Sequence, residues 1–171
     1  MTVIVQKPEF NLRDKLSELD FGTLPYEKAP SGSIIQVVQT VKQDQFTSTS
    51  SSYVNVTDFN ATITPRFNSS KILVIVMTTV QTSSHRLRMD VHFSSGNGQL
   101  SSTGLISGSS NAMQAYEGNS VNLPAHLTFL HSPNTKNPAT YQLRALNTNG
   151  SQFFVCATSH TGTMTLMEVK Q

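Results

Sequence analysis

The acidic residues that could catalyse a reaction are few and widely spaced in this 171-residue chain. Beyond residue 30 there are five, namely Asp44, Asp58, Asp90, Glu117 and Glu168. A glycoside hydrolase needs two carboxyl groups flanking the scissile bond, and no two of these residues are close in sequence. A glycan-processing enzyme is therefore an alternative that requires the fold to bring Asp90 or Glu117 beside a second carboxylate.

The other residues capable of chemistry also lack a recognised spacing. Residues 96–98 (Gly-Asn-Gly) have no third glycine at the position of a dinucleotide-binding motif. Cys156 lies in an apolar run, which indicates a small buried hydrophobic residue. No metal-binding spacing is formed by the histidines, which are His85, His92, His126, His131 and His160. We therefore expect no catalytic residue, metal or cofactor and no enzyme, and we expect the histidines to be exposed polar residues.

The composition is poor in charge and rich in neutral polar residues. Charged residues make up 13% of the chain, whereas Ser, Thr, Asn and Gln account for 65 of the 171 residues. This balance disfavours a helical protein, because surface helices are built from Ala, Glu and Lys. The net charge of +2 gives little attraction to nucleic acid. Residues 72–77 form the longest apolar run, which is too short for a bilayer span, and we expect no signal peptide and no membrane insertion.

Alternating apolar and polar residues predict β-strands over most of residues 33–171. Residues 86–93 and 121–129 alternate strictly, which places one set of side chains in a core. Pro124 indicates an edge strand or a bulge. The fold class is therefore all-β, an antiparallel, jelly-roll-like β-sandwich of about eight strands. Its core is predicted to contain Leu87, Met89, Val91, Phe93, Leu123, Leu127 and Phe129.

One predicted strand is apolar on both faces, unlike its neighbours. A lone sandwich covers only one face of a strand, so the excess apolar surface predicts contact with another subunit. We expect a homotrimer whose interface is formed by Ile72, Leu73, Val74, Ile75, Val76 and Met77.

The first 32 residues differ from the rest and predict an extended arm. They include nine of the chain's charged residues and three of its prolines, with a short amphipathic helix near residues 12–20. A helix this short is unstable alone, so its apolar face needs a partner, either another protein or its own domain. The predicted docking residues are Val3, Ile4, Val5, Phe10, Leu12, Leu16 and Leu19.

The glycine-rich and serine-rich segment 94–120 predicts a long surface excursion between strands. Loops of this length in compact domains are often functional, although plain slack between two hairpins is the alternative. The residues predicted to contact a receptor, for which a cell-surface glycan is one candidate, are Asn97, Gln99 and Tyr116.

Several segments resemble domains of tail fibres and related virion proteins of marine bacteriophages, particularly those of cyanobacteria. They are residues 32–40, 49–65, 68–76, 127–133, 140–144 and 165–169, and residues 11–20 look like a leader segment of such proteins. The resemblance implies a structural, often trimeric β domain on the virion surface with no catalytic residue.

The resulting interpretation is a short tail fibre or tail appendage, made in the host cytoplasm and located in the virion. Its arm would dock on the particle and its trimeric sandwich would attach to the host surface. A capsid decoration protein or head fibre is the alternative within virion proteins. The chain differs from such proteins in that its sequence shows no long fibre shaft or coiled coil.

Overall fold

The computed structural model describes residues 26–84, 86–95, 113–116, 121–157 and 160–171. The chain divides into two compact units, Met1–Pro30 and Ser31–Gln171. In the first unit, the described residues form a short 3₁₀ helix, Tyr26–Lys28, in which the Ala29 amide donates to the Tyr26 carbonyl at 3.2 Å. The seven predicted docking residues and the predicted helix near 12–20 lie outside the described residues. Within the described part of the chain, no helix is long and apolar enough to cross a membrane.

The second unit is built from two antiparallel sheets, as the alternating sequence predicts. Short polar turns separate most of its ten described strands. In chain order the strands are β1 Ile34–Lys42, β2 Phe46–Ser48, β3 Val54–Ile63, β4 Lys71–Thr82, β5 Arg86–Ser95, β6 Met113–Tyr116, β7 Leu123–His131, β8 Ala139–Asn147, β9 Phe153–Val155 and β10 Gly162–Val169.

In the first sheet, sheet A, two positions are each occupied by two shorter strands that follow one another along the same line. Strand β4 pairs with β7 along one side, and along its other side it pairs first with β10 and then with β9. Strand β1 pairs with β10 in the same way that β2 pairs with β9. Sheet A therefore has four strand positions, in the order β1/β2, β10/β9, β4 and β7.

The second sheet, sheet B, has the order β3, β8, β5 and β6. Strands β1 and β2 share one position, and β9 and β10 share another, so the chain fills eight positions. Numbered along the chain, these positions lie in the order 1-8-3-6 in sheet A and 2-7-4-5 in sheet B. This is the strand order of a jelly roll, so the predicted fold class is confirmed. Strand β7 pairs only with β4 among the described strands, which agrees with the edge position predicted from Pro124.

The core between the sheets is filled by the inward side chains of the alternating strands. Leu87, Met89 and Val91 are fully buried and Leu127 is 5% exposed. Phe93, Leu123 and Phe129 are partly buried and pack against this cluster. The strict alternation of β5 and β7 therefore identified core residues correctly, because each strand of a sandwich buries one face.

Cys156 and Gly162, at the two ends of the connection between β9 and β10, pack tightly in the core. Cys156 is fully buried with φ of 54°, and its amide donates to the Thr79 carbonyl at 2.8 Å. A Cβ atom on Gly162 would lie 2.7 Å from the Cys156 Sγ and 2.8 Å from the Phe59 Cζ. Position 162 therefore requires glycine for reasons of space.

The beginning and end of the sandwich domain lie side by side. The Gly32 amide donates to the Lys170 carbonyl at 2.7 Å, and the Lys170 amide donates to the Ser33 carbonyl at 2.9 Å. These two bonds extend the β1–β10 ladder beyond Ile34, so the first and last strand positions are closed together at one corner of sheet A.

Candidate functional site

The described carboxylates are not paired with one another. Glu168 is fully buried on β10, and its Oε1 accepts from the backbone amides of Arg66 and Phe67 at 2.8 and 3.3 Å. Its Oε2 accepts from Gln36 Nε2, so this carboxylate fixes the turn between β3 and β4. It therefore has a structural role, because its acceptor sites are occupied by protein donors.

Asp90, named above as a possible catalytic carboxylate, lies beside His92 and not beside a second acid. Glu117 lies outside the described residues. No group of three His, Cys, Asp or Glu residues in the described ranges could hold a metal ion. The described residues thus provide no catalytic pair for the enzyme alternative.

The outward side of sheet A, here called the outer face of sheet A, carries a row of apolar side chains. Strand register aligns one residue from each of the four strands into a row across this face: Val37 with Met167, Met167 with Leu73, and Leu73 with Leu130. Val37 is 55% exposed and Leu130 is 50% exposed at the two ends of the row. Four large apolar side chains therefore lie next to one another on a surface that faces away from the core.

The two neighbouring rows extend this surface with uncharged side chains. Met77 and Val41 are 58% and 48% exposed. Among the described outward positions of β1, β4, β7 and β10, the one charged residue is Lys71. Lys71 is in register with Val169, at the end of the face. The first of these rows consists of Gln39, Thr165, Ile75 and Thr128, and the second consists of Val41, Thr163, Met77 and His126.

The structure divides the six residues predicted to form an oligomer interface. Ile72, Val74 and Val76 are fully buried between the sheets, so assigning these three to a subunit interface was wrong. They are inward because side chains alternate along a strand. Leu73, Ile75 and Met77 lie on the outer face of sheet A. Val37, Met167 and Leu130 were not among the predicted interface residues, because they join this face only through long-range strand register.

The outward side of sheet B carries a polar cluster centred on Arg144. Its Nη1 lies 3.0 Å from His92 Nδ1, and its Nη2 donates to the Tyr53 carbonyl at 2.9 Å. The guanidinium carbon is 5.9 Å from the centre of the Tyr53 ring. On its other side, His92 places Nε2 3.5 Å from Asp90 Oδ2.

Arg144 encloses His92 in this arrangement. Its Nη1 lies 3.0 Å from Nδ1 and 3.3 Å from Nε2 of the ring, so the guanidinium nitrogen sits over the imidazole and not beside one of its nitrogens. His92 is 2% exposed, and the expectation of an exposed histidine was wrong here because Arg144 and Tyr53 pack against it. Burial raises the pKa of Asp90, which His92 and Arg144 oppose.

Of the three predicted receptor-contact residues, one lies in a described strand. Asn97 and Gln99 are not among the described residues. Tyr116 belongs to β6, the edge strand of sheet B, where its backbone is in register with Arg86. The prediction that these three residues contact a receptor stays a prediction.

No family model and no curated protein matches the chain. A solved structure of the infectious bursal disease virus VP2 subviral particle is similar at 12% identity and a TM-score of 0.39, over 80% of this chain and 38% of that one. The structure of infectious bursal disease virus Gx strain matches at 12% identity and a TM-score of 0.37, with the same coverage. The chain thus spans less than half the length of these proteins.

Proposed function

We propose that this chain is a non-enzymatic structural protein of a virion that self-associates as a homotrimer through the outer face of sheet A. The observation that carries the proposal is the uncharged apolar ladder centred on the row from Val37 to Leu130. The three inter-strand spacings of sheet A span about 14 Å, and side chains on either side widen this to about 20 Å. With a similar length along the strands, the three rows cover on the order of 400 Å². About half of this area is apolar, because five of the twelve residues are Gln, Thr or His.

The row of four large apolar side chains favours burial against another subunit. Burying about 200 Å² of apolar surface contributes on the order of 5 kcal/mol before the entropy lost on association is subtracted. The absence of charge across the central rows removes the like-charge repulsion that would oppose contact between identical subunits. These properties support self-association over an isolated domain in solution.

The placement in a virion is supported by the resemblance of residues 32–40, 49–65 and 68–76 to phage tail-fibre domains. A jelly roll alone does not determine function, although this fold serves in viral capsids among other settings. Within the virion, the proposal is a short tail fibre or appendage. Its N-terminal arm docks on the particle and its sandwich faces the host.

Charge introduced into the outer face of sheet A tests the self-association. The variants Val37→Asp and Met77→Asp each add a carboxylate at an exposed position of the face. We expect trimeric mass for the unmodified chain in light scattering at micromolar concentration, and monomeric mass for both variants. The control Thr57→Asp adds the same charge to an exposed position of β3, in sheet B, and should stay trimeric. A monomeric unmodified chain across a concentration series, or trimeric V37D and M77D, would contradict the proposal.

The docking role of the arm needs a separate experiment with particles. Replacing Leu12, Leu16 and Leu19 together by Ser should prevent incorporation into virions while leaving the sandwich folded and trimeric. Imaging virions labelled at the carboxyl terminus of the chain then distinguishes tail from capsid attachment. Normal copy number of the triple variant in particles would show that the arm does not dock the protein.

A further inference from the structure

Strand β7 has a long side that faces away from β4, here called the free edge of β7. The strand runs from Leu123 to His131 and contains no Lys, Arg, Asp or Glu. Its register with β4 continues from Ile72 to Val80 without a shift, and among the described strands it pairs with β4 alone. Sheets usually protect such edges with charged residues, bulges or short strands, because unpaired N–H and C=O groups accept a further strand.

The other described edge strands carry that protection. The pairing of β1 has a register shift between Ile34 and Gln36, and the pairing of β3 has one between Asn55 and Asn60. Strand β2 has three residues and β6 has four. Among the described edges, β7 is therefore the one that combines length, regular pairing and the absence of charge.

The hydrogen bonding of β4 shows which backbone groups of β7 point to the free edge. The Thr79 carbonyl accepts from the Cys156 amide at 2.8 Å, so the backbone groups of Thr79 point to the side of β4 where β9 lies. Thr79 is in register with Pro124, and this pair is therefore a non-hydrogen-bonded pair of the β4–β7 ladder. The backbone of Pro124 thus faces the free edge, which suits a residue without an N–H.

The free edge of β7 is complementary to a second copy of itself. Because the pattern repeats every two residues, the N–H and C=O groups of His126, Thr128 and Leu130 also point to the free edge. In an antiparallel pair centred on Thr128, His126 of each copy lies opposite Leu130 of the other, and Thr128 lies opposite itself. Each of these pairs can exchange two hydrogen bonds, and no charged residue of one strand meets its own copy on the other.

We propose that the free edge of β7 pairs antiparallel with β7 of a second copy, in a contact separate from the outer face of sheet A. The contact is two-fold symmetric and joins two copies of sheet A into one continuous sheet. It goes beyond the proposed trimer, because it links subunits of different trimers. A single strand pair buries little surface, so we expect a dissociation constant on the order of 0.1–1 mM. The contact therefore forms where a particle holds trimers at high local concentration.

The variant Val37→Asp isolates this contact, because Val37 lies on β1 at the opposite side of sheet A from β7. Sedimentation equilibrium on V37D should show a monomer at micromolar concentration and a dimer at millimolar concentration. Adding Thr128→Pro removes the central amide of the free edge and leaves the bonds to β4 in place, so dimerisation should weaken about tenfold or more. The matched control Thr128→Ala keeps the amide and should change the dissociation constant less than about threefold. Monomeric V37D at millimolar concentration, or equal dimerisation with T128P, would overturn the proposal.

Amide hydrogen exchange gives a second measurement that does not depend on the folding of the proline variant. In V37D, the amides of His126, Thr128 and Leu130 should exchange about two- to fivefold more slowly at millimolar than at micromolar concentration, because exchange proceeds from the monomer. The amide of Leu127 points to β4 and should exchange equally at both concentrations. Unchanged exchange at the three edge amides would overturn the proposal.

The two proposals fail in different ways. An unmodified chain that is monomeric at micromolar concentration contradicts the trimer, whereas dimerisation of V37D through β7 would still be observed. A trimeric unmodified chain with no concentration-dependent protection of the edge amides contradicts the β7 contact alone.

Discussion

Replacing Gly162 with Ala should destabilise the sandwich through a collision inside its core. The added Cβ would lie 2.7 Å from the Cys156 Sγ and 2.8 and 2.9 Å from two atoms of the Phe59 ring. Both neighbours are fully buried, so neither can move away without disturbing further contacts. Overpacking of this kind costs about 1–3 kcal/mol.

Part of that cost is offset in the unfolded state. An alanine restricts the unfolded chain relative to glycine, which contributes about 0.4–1 kcal/mol in favour of folding. The net loss for Gly162→Ala is therefore about 1–2 kcal/mol. With a urea m-value of about 2 kcal/mol/M, the midpoint of unfolding should fall by about 0.5–1 M.

Urea unfolding at one fixed protein concentration measures this loss, since self-association would otherwise shift the midpoint. A double-mutant cycle then identifies the cause. Adding Cys156→Ala removes the Sγ and should make the double variant more stable than additivity predicts by about 0.5–1 kcal/mol. The rescue is partial because the Phe59 contacts persist.

Gly32 supplies the matched control for this cycle. Its φ of +89° strains any other residue, but a Cβ there would meet nothing within 4 Å. Gly32→Ala should cost about 1–2 kcal/mol from backbone conformation alone and should combine additively with Cys156→Ala. An unchanged or raised midpoint for Gly162→Ala, or equal coupling in both cycles, would refute the steric argument.

Three further substitutions address buried polar groups. Glu168→Gln replaces an acceptor with a donor among the donors that surround it, so it should lower stability by about 1–3 kcal/mol in urea unfolding. Gln142→Leu removes the Nε2 donor that bonds three backbone carbonyls, including that of Val56 at 2.9 Å, and should cost a similar amount. Burial lowers the pKa of His131, whose Nδ1 lies 2.9 Å from the Tyr141 hydroxyl, so its contribution is present above pH 6.5 and is lost as pH falls through the folded value. His131→Asn should reduce the loss of melting temperature between pH 7 and acidic pH; an unchanged pH profile would assign that loss to other groups.

The sequence was informative wherever one face of a strand is polar. In β5, the outward Arg86 and Arg88 alternate with inward Leu87 and Met89, so the core residues and the β class could be predicted from period alone. In β4 both faces are apolar, and no local signal distinguishes the buried Val74 from the outward neighbours on either side.

Features that depend on strand register could not be predicted from the sequence. The apolar row unites residues as distant as Val37 and Met167, which meet only because β1 pairs with β10. The same holds for His92, which the local pattern predicts to be exposed. It is covered by Arg144, its diagonal neighbour on β8, which lies opposite Asp90. Local alternation predicts which side of its own strand a side chain occupies, but neighbouring strands decide what covers it.

The closed corner of sheet A has a mechanical consequence. Ser33 and Lys170 are hydrogen-bonded neighbours at the two ends of the domain, and β1 runs antiparallel to β10 from that point. A force that pulls residues 31 and 171 apart therefore acts across the ladder and loads its hydrogen bonds one at a time, as in a zipper. A force applied between Ile34, at the start of β1, and Gly162, at the opposite end of the ladder, would load the same bonds together, in shear. The domain should consequently yield at low force when it is stretched from its two ends, with β1 the first strand to detach.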